Sequence, residues 1–138
     1  MNDIPLESAL AGARALLTAL AADDPLNRVR AEDAITPACA GMRMYDAPIL
    51  AVGAAGDPLF AGLKAPEAVG ARFRAPEEWL PGARSVISVF LPATREVVES
   101  NRRGSLPSPE WLHARIEGQR FVRRAAEALT AWLRAQGA

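Results

Sequence analysis

Ser85-Val86-Ile87-Ser88-Val89-Phe90-Leu91 is the run that decides how the rest of the chain is read. Its β-branched and aromatic residues favour a strand, and the near-absence of polar side chains suits a strand covered on both faces. Upstream, Ala47-Pro48-Ile49-Leu50-Ala51-Val52 is a second apolar run, with proline near its start, where a strand tolerates it. Between Ala51 and Val86 there is ample chain for a helical crossover. The two runs are therefore expected to lie parallel with a right-handed connection.

Helical signals surround these strands. Leu6, Leu10, Ala13, Leu16, Leu17 and Leu20 recur at three- and four-residue steps, predicting a helix over Pro5–Ala22. Asp57-Pro58 reads as a cap and first turn, and Ala75–Leu80 as a short helical turn broken by Pro81-Gly82. Thr94–Arg103 predicts a helix, then a loop over 104–109. Ser108 and Pro109 open a long final helix to about Gln136, its apolar face carrying Leu112, Ile116, Val122, Ala126, Leu129 and Leu133. Residues 25–44 show no period. The expected fold is α/β: a small, mainly parallel sheet with flanking helices and a long C-terminal helix, all in one domain over 1–138.

Composition narrows the function. The chain has 138 residues, is half apolar and has zero formal net charge. A core is feasible, and the strongly basic balance of a nucleic-acid-binding domain is absent. Charge is nevertheless uneven: residues 1–60 hold eight acids against four arginines, and the remainder balances it. No run approaches the roughly 20 apolar residues of a membrane span, and the start lacks a basic leader. Cytoplasmic residence is expected, with neither a nucleic-acid nor a membrane partner. Cys39 is the only cysteine and His113 the only histidine. Iron–sulphur clusters need about four thiolates, so no cluster is expected in the isolated chain. A Cys39–His113 nucleophile pair would require the fold to bring them together.

Other candidate chemistry is sparse. Gly53-Ala54-Ala55-Gly56 could cradle a phosphate but lacks the spacing of a dinucleotide fingerprint and the Lys-Ser/Thr of a P-loop; a tight strand-to-helix turn accounts for it better. Arg102 and Arg103 sit beside a Pro/Gly-rich loop, where functional residues concentrate. Arg120, Arg123 and Arg124 read more simply as a solvated helix face. Adjacent Glu77 and Glu78 point apart and cap a helix rather than form an acid/base pair. Ile87 is expected to matter more to stability than His113.

Glu78-Trp79-Leu80-Pro81-Gly82-Ala83-Arg84-Ser85-Val86-Ile87-Ser88-Val89 resembles the Leu-x-Pro-Gly-Ala-x-Ser-Val-Ile segment of epoxyqueuosine reductases and related corrinoid-linked iron–sulphur proteins. The order of Asp57-Pro58-Leu59, this strand and a long following helix is similar too, so the resemblance covers about residues 40–136. It implies an N-terminal α/β domain that helps bind cobalamin, followed in the family by a ferredoxin-like domain with two cysteine-rich motifs. This sequence stops before such motifs, as a piece of a longer protein or a branch without the redox half would. Where those reductases carry Gly-x-Asp-Tyr-His, with the Asp as proton donor, this chain has Gly118-Gln119-Arg120-Phe121-Val122. An arginine cannot donate that proton.

The resemblance thus implies a non-catalytic or incomplete domain serving as scaffold for a cofactor or a partner chain. An anionic-cofactor-binding part of a reductase, using Arg102, Arg103, Arg115 and Gly118, is the alternative. A plain interaction module is the third. A homodimer or a cysteine-rich redox domain is the expected partner, since a two-strand sheet leaves edges that proteins normally cover.

Overall fold

A computed structural model describes residues 6–137. The chain divides into two compact units, residues 1–49 with 90–138, and residues 50–89. In chain order the elements are α1 (Leu6–Asp23), β1 (Ile49–Ala54), α2 (Pro58–Gly62), α3 (Pro76–Trp79), β2 (Ser85–Phe90), α4 (Arg95–Arg102), α5 (Pro109–Ile116) and α6 (Gly118–Ala135). The stretch without a period holds three single-turn 3₁₀ helices, Pro25–Asn27, Ala31–Asp33 and Pro37–Cys39.

The first unit is helical. α1 buries Ala13, Leu17 and Ala21, and α6 buries Gly118, Phe121, Ala125 and Leu129, each set at helical spacing. Close approach is built in at Gly12, where an added Cβ would run into the Trp132 ring. The buried face of α6 is rotated from the expected one: Phe121 and Ala125 are buried, while Val122 is half-buried and Ala126 exposed. A second cluster joins Val29, Cys39, Met42, Met44, Val97 and Ala114.

One side chain ties these parts together. Ala21 would ordinarily receive the N–H four residues on, but that residue is Pro25, which has none. Asn27 supplies the missing donor, its Nδ2 donating to the Ala21 carbonyl at 2.7 Å. The same amide group donates to the Tyr45 carbonyl at 2.9 Å, and its Oδ1 accepts the Tyr45 N–H at 2.9 Å. Asn27 is wholly buried, and these bonds satisfy both its donors and its carbonyl oxygen in place of water.

The second unit corrects the sheet topology. β1 and β2 form a two-stranded antiparallel sheet, not a mainly parallel one. A parallel pair needs a crossover long enough to return along the strand, about 20 Å for six residues. Pro58, Pro66, Pro76 and Pro81 cut this connection into helices of five and four residues, so it holds no single crossover helix of that length. The Ala55 N–H donates to the Arg84 carbonyl at 3.0 Å. That bond sets Leu50 opposite Val89 and Val52 opposite Ile87 on one face, with Ala51 opposite Ser88 and Gly53 opposite Val86 on the other. The first face is half-buried to buried and the second mostly exposed. β2 is therefore not covered on both sides.

Candidate functional site

Arg102 ends α4 and Arg103 follows it, both exposed. Thr94 caps α4, its hydroxyl accepting the Val97 N–H at 3.4 Å. The loop beyond the arginines is held by a chain of hydrogen bonds. Ser100 donates to the Val97 carbonyl at 3.0 Å, which leaves the Ser108 hydroxyl as donor in the 2.9 Å Ser100–Ser108 contact. Ser108 Oγ in turn accepts the Trp111 N–H and caps α5, while Asn101 Oδ1 accepts the Ser108 N–H. A cavity of about 230 Å³ opens here, lined by Asn101, Gly104, Ser105, Leu106, Pro107 and Trp111.

Arg115 and Gly118 occupy the other end of α5, an eight-residue helix of about 12 Å. The arginine pair and this second pair are thus placed near opposite ends of one helix. Arg115 is exposed, and its charge acts on Tyr45. Gly118 is buried beneath the Tyr45 ring: an added Cβ would lie 2.7 Å from Cε2 and 2.8 Å from the hydroxyl. That hydroxyl donates to the Ala114 carbonyl at 2.7 Å, and the ring stacks on Phe121 with centroids 6.2 Å apart. Ala114 is the carbonyl that Gly118 N–H would meet in an unbroken helix. The Tyr45 hydroxyl occupies it where the helix is interrupted, between α5 and α6. Burial raises the Tyr45 pKa above its ordinary value, against the opposing effect of Arg115.

His113 is buried, with both ring nitrogens engaged. Nε2 accepts the Ile35 N–H at 3.0 Å, so in the neutral ring the proton sits on Nδ1, which pairs with the Glu117 carboxylate. Cys39 is buried and its sulphur contacts the Thr36 hydroxyl at 3.2 Å. With the accepting nitrogen of His113 committed to a backbone amide, the pair forms no nucleophile and base. Among the described residues no group of three or more His, Cys, Asp or Glu is placed to hold a metal. No described helix is long and apolar enough to cross a membrane.

The second unit shows a different kind of site, which helical and strand periodicity did not flag. Leu59, Val69, Trp79 and Leu80 are 78%, 59%, 72% and 66% exposed, and Leu50 and Ala55 are the only buried apolar residues within residues 50–89. The segment is ordered by local contacts. Asp57 Oδ1 accepts the Leu59 N–H at 2.9 Å, Phe60 stacks on Phe73, and Arg74 lies over the Trp79 ring at 5.5 Å. Glu78 pairs with Lys64 at 2.6 Å and accepts the Ala75 N–H at 2.7 Å. The Lys64 hydrogen bond, then that from Ala75, holds the Glu78 carboxyl below its usual pKa. The Gly53–Gly56 turn leads into α2, only five residues long. No protein-family model, curated protein or solved structure matches the chain.

Proposed function

We propose that this chain is a docking scaffold that binds a cysteine-rich redox polypeptide on the apolar side chains of residues 50–89. The observation that carries the reading is the exposure of Leu59, Val69, Trp79 and Leu80 in a unit with two buried apolar residues. Two strands and two short helices do not normally hold together on so little burial, and exposed aromatic and aliphatic side chains of this kind mark interfaces. The resemblance of residues 78–89 to iron–sulphur reductases supplies the class of partner. Titration with a ferredoxin-type iron–sulphur polypeptide, followed by calorimetry, tests it. Trp79→Ala should weaken binding by roughly 30-fold, the ~2 kcal/mol of an aromatic anchor. An unchanged affinity, or no binding by the unaltered chain, refutes the reading.

A second reading rests on the cavity beside Arg102 and Arg103. Two exposed guanidinium groups beside a hydrogen-bonded loop suit an anionic group such as a corrinoid's phosphate. Cobalamin absorbance retained through gel filtration, and lost in Arg102→Ala/Arg103→Ala, supports it; no retention refutes it.

A further inference from the structure

Among the described residues no strand pairs with the edge of β2 away from β1, and this edge offers a second interface, separate from the loop side chains of the docking site. In a strand, N–H and C=O groups of successive residues point to alternate sides. The Arg84 carbonyl points to β1, since it accepts the Ala55 N–H. Ser85, Ile87 and Val89 therefore direct their backbone groups away from β1. Among the described residues, none of these outward groups has a hydrogen bond outside the sheet. The strand also lacks two of the guards that usually protect such an edge: it has no proline and no charge from Ser85 through Leu91. β1 is the poorer template, preceded by Pro48 and containing Gly53.

We infer that this edge pairs antiparallel with β2 of a second copy of the chain, joining two ribbons into a four-stranded sheet about a two-fold axis. The charges favour a second copy as the occupant. Lys64, Arg72, Arg74 and Arg84 balance Asp57, Glu67, Glu77 and Glu78 within residues 50–89, and the chain as a whole is neutral. Two copies therefore meet without net repulsion, and near-zero net charge itself favours association. The strand is also self-complementary. A two-fold centred on Ser88 keeps each face on its own side. It sets Ile87 against the second copy's Val89, Val86 against its Phe90, and Ser88 against its Ser88. Centring on Ile87 would set Ile87 against Ile87 but pair Ser85 with Val89 and Val86 with Ser88, leaving more apolar side chains opposite serines. A two-fold pair closes on itself and leaves no further β2 edge exposed.

Light scattering coupled to gel filtration over a micromolar dilution series reads the outcome. The expected mass is twice the 14.7 kDa of one chain. Ser88 is exposed, and Ser88→Lys or Ser88→Glu places like charges directly across the axis. Each variant alone should run as a monomer, and an equimolar mixture of the two should restore the dimer. A variant that merely failed to fold would not be rescued by mixing. Trp79→Ala should leave the mass doubled, which separates this interface from the redox-partner site. A 14.7 kDa mass for the unaltered chain throughout, or dimers for both Ser88 variants alone, overturns the inference.

Discussion

Replacing Asn27 by alanine should be among the costliest single changes in the helical unit. Three hydrogen bonds disappear, to the Ala21 carbonyl and to the N–H and C=O of Tyr45, at a residue with no exposure. At a net ~1 kcal/mol per bond the loss is about 3 kcal/mol. The partners remain buried or half-buried, and the Ala21 carbonyl has no helical donor to fall back on, because position 25 is proline. Desolvation of these orphaned groups raises the total to about 3–5 kcal/mol. In a chain of this size that lowers the melting temperature by roughly 10–20 °C. Urea unfolding followed by far-ultraviolet circular dichroism measures it. Asn27→Asp is the informative companion: it keeps an acceptor for the Tyr45 N–H but loses both donors and adds a buried charge, so it should be no better than alanine. A loss under about 1 kcal/mol for Asn27→Ala would refute the argument that this amide closes the end of α1.

Gly118→Ala should destabilise by about 1–3 kcal/mol without any ligand present, because the new Cβ meets a Tyr45 ring that is itself held by Ala114 and Phe121; a neutral or stabilising effect by urea titration would defeat that packing account. Tyr45 is held neutral by burial, so its contribution is full below its unfolded pKa of about 10 and is lost as pH rises through the higher folded value. Stability should therefore fall above about pH 10 more steeply in the unaltered chain than in Tyr45→Phe, and equal slopes would contradict the sign. His113→Ala should cost about 2–4 kcal/mol, against about 1–2 for Ile87→Ala. His113 is buried with two partners, whereas Ile87 is half-buried. Urea midpoints in the opposite order would reverse this ranking, which is itself the reverse of the one expected from sequence.

Local chemistry in the sequence determined where most elements lie. Pro58, Pro76 and Pro109 open helices, Asp57 and Ser108 cap them, and the apolar run at 85–90 is a strand. These signals act over a few residues, so a single sequence carries them. Whether β1 and β2 run parallel or antiparallel depends on how the connecting chain packs, not on its length, and only tertiary structure decided that they run antiparallel. The buried face of α6 was likewise set by its neighbours. Gly118, Phe121, Ala125 and Leu129 are buried where Tyr45 and the helices pack closely, while Ala126 of the same helix is exposed. His113 and Asn27 show the same limit most plainly. Each is a lone polar residue in the sequence. Each becomes a buried tie only because Ile35, 78 positions away, and Tyr45, 18 positions away, are brought within hydrogen-bond reach. Such contacts leave no periodic trace, since the backbone groups they satisfy are the same at every residue.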